Sequence, residues 1–223
     1  MTLAVRLRSA VCLLGRYPAL AGIDLDVRAG EIVLLSGANG AGKTTVLRAV
    51  AGLVGLHSGT GEVLGHDLTR DRRGMRRRLS LVGHDTFCYD DLTVRENLRF
   101  ASRAAARPVQ AGDTAMERVG LASKAGVTHG RLSAGQRRRL ALAVALAREP
   151  ELLLLDEPHA GLDASGRAVL DDVISAAPGE GRTVIVASHE LDRVRGLARR
   201  EVVLSAGRAV GGVLAPEPQL AAT

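Results

Sequence analysis

One short stretch, Ser36-Gly-Ala-Asn-Gly-Ala-Gly-Lys-Thr-Thr45, restricts the folds open to this chain more than any other. It follows the apolar run Ile32-Val-Leu-Leu35, which reads as a buried strand, and precedes Val46 to Leu53, where apolar residues recur at helical spacing. Strand, glycine loop and helix in that order build a phosphate site. Gly37, Gly42, Lys43 and Thr44 fall at the G-x4-G-K-T spacing. Gly37, Gly40 and Gly42, with Ala38, Asn39 and Ala41 between them, let backbone N–H groups turn inward around phosphate oxygens at the helix start. Lys43 is placed to reach the β- and γ-phosphates, and Thr44, beside Thr45, to hold Mg²⁺. Only Lys43 and Lys124 are lysines, every other cation being arginine, so one of two compact ammonium groups stands where this geometry needs it.

Three further segments carry chemistry. Leu152-Leu-Leu-Leu155-Asp156-Glu157-Pro158 reads as a buried strand whose C-terminal carboxylates emerge at the sheet edge, where α/β folds bind ligands. Taken alone, Asp156 and Glu157 would be a pair of solvated carboxylates. Beside a phosphate loop, Asp156 is expected to hold Mg²⁺ and Glu157 to polarise an attacking water. Thr183-Val-Ile-Val-Ala187 is a second buried strand, ending in Ser188 and His189. His189 is either a surface imidazole at a helix start or a group beside the phosphate, and its strand-end position favours the latter. In Leu132-Ser133-Ala-Gly135-Gln136, Ser133 is a good N-cap, and the small residues leave the helix N-terminus open to an anion.

The rest of the chain supplies the frame. Leu20 to Val27 predicts a half-exposed strand, Gly52 to Gly65 small antiparallel strands and turns, and Leu79 to Val82 another buried strand. Thr93 and Glu96 stand at capping-box spacing. Residues 86–147 read as an inserted helical lobe between two parts of a nucleotide-binding core, 1–85 and 148–214, with 215–223 a frayed tail. Beyond the lobe, a helix over Ala164 to Ala176, a short helix from Glu190 and a strand over Glu201 to Leu204 resume the alternation expected of a mainly parallel sheet covered on both faces.

With 223 residues, one domain is expected. Thirty Lys+Arg against 24 Asp+Glu leave a net charge of +6, which invites a nucleic-acid reading. Aromatics at 2% leave little for base stacking, and the basic run Arg70 to Arg78 reads as a solvated face. The longest apolar run, Leu140 to Ala147, is far short of the roughly 20 residues a bilayer span needs. The N-terminus lacks the layout of a signal peptide, and Cys12 and Cys88 read as reduced thiols, so a cytoplasmic location is expected.

Taken together, the loop at 37–44, Leu132-Ser-Ala-Gly-Gln136, Asp156-Glu157, Ala160-Gly-Leu-Asp163 and Ser188-His189 resemble, in order and spacing, the ATP-binding cassette family of ATPases. The resemblance covers residues 3–212. It implies an α/β fold: a P-loop core with a mainly parallel sheet, a small antiparallel β subdomain and an inserted helical signature lobe. It implies ATP and Mg²⁺ as ligands, and two cassettes paired head to tail, each ATP lying between one loop and the other subunit's Ser133, Gly135 and Gln136. Asp163 would contact the opposite subunit, and His189 the γ-phosphate. It also implies an integral membrane permease subunit as partner, with the cassette on the cytoplasmic face of the membrane.

Two positions depart from the family pattern. Gly83-His84-Asp85 stands where a metal-sensing Gln is usual, so His84 or Asp85 takes that place, with spacing favouring His84 as a metal contact. Where an aromatic normally stacks on adenine, this chain offers Leu14 or Tyr17. Residues 83–100 resemble haem-exporter ATPase subunits of cytochrome c biogenesis; another small-substrate or drug exporter and a soluble iron–sulfur-assembly ATPase are the alternatives. Phe87 and Tyr89 read either as anchors for a membrane subunit's coupling helix or as packing within the lobe.

Overall fold

The chain runs β1 (Leu3–Leu14), β2 (Tyr17–Arg28), β3 (Ile32–Ser36), α1 (Lys43–Val50), β4 (Ser58–Val63), β5 (His66–Asp67), α2 (Arg72–Arg76) and β6 (Leu79–Val82). Helices α3 (Val94–Ala104), α4 (Val109–Arg118) and α5 (Ala134–Leu146) follow. The last part is β7 (Leu152–Asp156), α6 (Ala164–Ala176), β8 (Thr183–Ala187), α7 (Leu191–Arg195), β9 (Arg200–Ser205) and β10 (Arg208–Leu214). This computed structural model describes residues 2–83 and 85–214. The expected tail, 215–223, and His84 lie outside the described residues.

Two sheets result. The first is antiparallel in the order β2-β1-β4-β5, and the second has the order β10-β9-β3-β8-β7-β6, parallel except for β10 on β9. β3 and β8 are buried at every residue, and β7 at all but its last. Continuous apolar runs are what a parallel strand covered on both faces requires. One face of this sheet shares a core with α1 and the antiparallel sheet, through Val33, Leu35, Leu47 and Leu7. The other packs on the helical segment, where Leu98, Met116 and Leu140 join Leu153 and Leu155 in a second core.

The register of the central strands fixes where ligands can sit. Leu35 pairs with Ala187 and Asp156 with Ala187, so the C-terminal ends of β3, β8 and β7 lie level at one edge. That edge is where the phosphate loop begins.

Sequence patterning finds β3, β6, β7, α6 and β8 at nearly their observed bounds, but it misses β1. Ser9 adopts a left-handed φ of +44°, and the pairing with β2 shifts between Leu7 and Ala10. The buried residues pass from Val5 and Leu7 to Ala10 and Cys12, so the bulge erases the two-residue alternation that marks a strand. The basic run at 70–78 is also not a plain solvated face. Asp71 caps α2 through Gly74 N–H, Met75 is fully buried, and Arg78 makes a bidentate pair with Glu151. No helix among the described residues is long and apolar enough to cross a membrane.

Candidate functional site

The phosphate loop is shaped by glycines held where side chains do not fit. Gly37 has φ +137°, and a Cβ on it would lie 2.2 Å from the Leu204 carbonyl oxygen. Gly42, at φ +106°, is the N-cap of α1 and faces the Ala19 carbonyl, 2.9 Å from where its Cβ would be. No side chain caps α1 and no acid stands in its first turn, so its N-terminal N–H groups are left for an anion. Ala38, Asn39 and Gly40 are exposed, whereas Ala41 and Thr45 are buried. Lys43 is 8% exposed, and its Nζ donates to the carbonyls of Gly37, at 2.7 Å, and Ala38, at 3.2 Å. The ammonium thus lies over the loop it is expected to serve.

The acidic strand end meets this loop directly. Thr44 Oγ1 donates to Asp156 Oδ1 at 3.1 Å. A hydroxyl and a carboxylate oxygen are hard donors that suit Mg²⁺, which is commonly held by one or two protein oxygens together with phosphates. No group of three His, Cys, Asp or Glu side chains among the described residues makes a metal site by itself.

Glu157 has φ +46°, a left-handed backbone that costs a non-glycine residue about 1–2 kcal/mol. Its N–H donates to the Ala187 carbonyl at 2.8 Å, which ties it to the end of β8. Its carboxylate meets His189 twice. Oε2 lies 2.8 Å from His189 Nδ1 and accepts from the His189 backbone N–H at 3.2 Å. The His189 ring is 65% exposed, open to whatever occupies the strand edge. A cleft of about 610 Å³ runs along this edge, lined by Thr44, Thr86, Arg138, Asp156 and Glu157.

Lys43, Thr44, Asp156, Glu157 and His189 are therefore brought together at one edge. The signature residues sit elsewhere in the contact pattern. Ser133 Oγ accepts from Gln136 N–H at 3.2 Å, and Gln136 Oε1 accepts from Ser133 N–H at 3.0 Å, so the two complete a capping box on α5. No hydrogen bond among the described residues joins Ser133, Gly135 or Gln136 to the phosphate loop of the same chain. Asp163 caps α6 through Gly166 N–H, at 2.8 Å, and that bond, with the Ser165 hydroxyl, holds its carboxyl below the usual range. Leu14 and Tyr17 face each other across the tip of the β1–β2 hairpin, 53% and 81% exposed.

Several residues that shape the site carry no sequence signal. Arg138 Nη2 donates to the carbonyls of Asp156, at 3.1 Å, and Glu157, at 2.7 Å, while its Nη1 donates to the Gly83 carbonyl. Burial pushes this guanidinium down from its ordinary value, and the Asp156 and Glu157 carboxylates oppose that. His159, 1% exposed, reaches Asp171 at 2.8 Å, and Asp171 also receives Arg193 at 2.6 Å. Buried Asn97 accepts from Tyr89 N–H and donates to the carbonyls of Tyr89, Leu92 and Thr93. That holds up the segment bearing Phe87, which is 76% exposed, and Tyr89, whose ring packs edge-on against Phe100 at 5.2 Å. A second, largely apolar cleft of about 300 Å³ opens beside Phe87, lined by Leu53, Leu79, Leu81 and Val144.

Residues 20–160 match the profile of the ABC transporter family, and with this fold and edge the chain belongs to that family as one of its ATPase domains. It is 40% identical over 190 residues to the cytochrome c biogenesis ATP-binding export protein CcmA of Bordetella bronchiseptica, covering 83% of this chain and 84% of that protein. It is 39% identical over 207 residues to the daunorubicin resistance ATP-binding protein DrrA3 of Streptomyces coeruleorubidus, covering 91% of this chain but 66% of that protein. The dimeric post-hydrolysis structure of the ATP-binding cassette MJ0796, bound to ADP and Pi, has the same fold: TM-score 0.87 at 22% identity, over 96% of this chain and 100% of that one.

Proposed function

We propose that this chain is the ATP-hydrolysing subunit of a membrane exporter, a single cassette whose lobe at 86–147 carries the signature and the permease contact. The observation that carries the reading is the meeting, at one strand edge, of the Thr44–Asp156 pair and the Glu157–His189 pair beside the glycine loop. In this reading the loop amides of residues 37–42 and Lys43, with Thr45 behind them, bind the phosphates of ATP. Lys43 releases its loop carbonyls when phosphate oxygens replace them. Thr44 and Asp156 are the residues that would hold Mg²⁺, whose charge offsets that of the phosphates. Glu157 accepts a proton from the attacking water, and His189, already oriented by that carboxylate, donates toward the γ-phosphoryl oxygens.

Ser133, Gly135, Gln136 and Asp163 act on a second cassette, paired head to tail; the dimeric cassette of the same fold supports this. Phe87, Tyr89 and the apolar cleft beside them receive an integral membrane subunit on the cytoplasmic face, and ATP-driven closure of the dimer moves that subunit between access states. Similarity to CcmA favours haem export for cytochrome c biogenesis. Drug export is the second reading, favoured by the similarity to DrrA3, which runs over more of this chain. The integral membrane protein that co-purifies with the chain separates the two.

The central test is Glu157→Gln. Its nucleotide affinity is expected to stay within about twofold, while turnover falls about 100-fold or more, as loss of a general base requires. With ATP it should accumulate as a dimer in light scattering. Wild-type turnover in this variant would remove Glu157 from the mechanism.

A further inference from the structure

We propose that Arg138 is a positioning residue for hydrolysis: its guanidinium holds the backbone beneath Asp156 and Glu157 and so aims the Glu157 carboxylate. This rests on the reading of Glu157 as the group that activates water. Three observations converge on it.

The first is where the sheet stops. β6 and β7 pair from Leu79 with Leu152 up to Val82 with Leu155, and there the ladder ends. The carbonyls of Gly83, Asp156 and Glu157 lie just past it, and Arg138 takes all three. A side chain from a helix thus continues the sheet by one more rung on its β6 side.

The second is the state of Glu157. Its left-handed φ of +46° persists only if the surroundings fix it on both sides. On one side its N–H is held by the Ala187 carbonyl; on the other its carbonyl accepts from Arg138 Nη2 at 2.7 Å and from Ala160 N–H at 3.2 Å. Losing the shorter, charge-assisted bond leaves only the longer one, which lets the residue relax, and the carboxylate that meets His189 turns with it.

The third is the shape of the donor. Two nitrogens of one rigid plane serve three carbonyls, a task that uses the fork of arginine rather than its charge. An ammonium at position 138 keeps the positive charge near Asp156 and Glu157 but cannot span Gly83 and Glu157 together. Arg138 also lies one turn into α5, whose first residues are the signature, so the tie makes the angle of that helix part of the geometry under the carboxylate.

The experiment compares wild type, Arg138→Lys, Arg138→Met and Glu157→Gln for ATP turnover, affinity for a fluorescent ATP analogue and thermal midpoint. Arg138→Lys and Arg138→Met are both expected to lower kcat about tenfold or more, since small misplacements of a reacting group are costly, with analogue affinity kept within about twofold. Arg138→Lys is expected to keep the wild-type melting profile, and it decides the matter if Arg138→Met does not fold. Turnover of Arg138→Lys within about twofold of wild type would show that charge alone suffices, and would overturn the proposal. So would a kcat loss matched by an equal loss of analogue affinity, the mark of general damage. If Glu157→Gln is inactive while Arg138→Lys is normal, only the positioning role falls; if Glu157→Gln turns over normally, the underlying reading of Glu157 falls instead.

Discussion

Single residues differ sharply in what the loop asks of them, and the glycines show it. Gly37 and Gly40 both have positive φ, yet a Cβ on Gly37 would overlap the Leu204 carbonyl while one on Gly40 meets nothing within 4 Å. Gly40→Ala is expected to destabilise by about 1–2 kcal/mol, the left-handed strain alone. Gly37→Ala must displace β9 or the loop, so it should abolish binding of an ATP analogue and lower the thermal midpoint well beyond the Gly40 variant. Equal effects in the two would mean that the loop tolerates the overlap. That Gly37, Lys43, Thr44, Asp156 and Glu157 meet at one edge was legible in the sequence, because a phosphate-loop reading prescribes both residue types and spacing. Arg138 was not, because its partners are backbone carbonyls, which every residue has, and because nothing marks the middle of Arg137-Arg-Arg139. His159 was hidden for a related reason, its partner Asp171 lying on α6 and being held in turn by Arg193 on α7.

Elements built from continuous apolar runs were readable nearly to the residue, as β3, β7 and β8 show. Those whose pattern is broken by geometry were not, and β1 with its bulge at Ser9 is the clear case. The capping box of α3 lies between. Thr93 and Glu96 stood at the right spacing, and their side chains do bond each other's backbone N–H. Its consequence, the buried Asn97 one turn on, needs the fold to be seen, since Asn97 works on carbonyls of the preceding loop. Asn97→Ala takes one donor from each of those carbonyls, which keep a backbone N–H, and removes the acceptor of Tyr89 N–H; it is expected to cost about 1–3 kcal/mol in urea unfolding. Thr93→Ala, which removes a cap that is exposed to water, should cost about 1 kcal/mol. A reversed order would place the strength of this segment in the cap.

Across the whole molecule, several of the arginines that read as a clue to a polyanionic partner pair with carboxylates on other segments. Arg78 holds Glu151, Arg118 holds Glu180, Arg195 holds Glu201 and Arg8 holds Asp26, and each arginine keeps its carboxyl below the ordinary range. A carboxyl lowered in the folded state adds stability that is complete above its unfolded value, near 4, and lost as pH falls through the folded value. The thermal midpoint is therefore expected to stay flat between about pH 6 and 8 and to fall steadily below about pH 4.5. A midpoint that rises on acidification would contradict this use of the arginines.

The order of strands in the central sheet bears on how the protein is made. β3 delivers the phosphate loop, yet its two neighbours, β8 and β9, come from the far end of the chain; Leu34 pairs with Val186 on one side and Glu201 on the other. During synthesis the loop leaves the ribosome early and waits roughly ten seconds for the strands that flank it. Until then its apolar strand has two open edges, a template for wrong pairing. Before β8 and β9 arrive the loop lacks the strands that frame it, so nucleotide is expected to stabilise a chain that includes both strands and not one that stops short of β8.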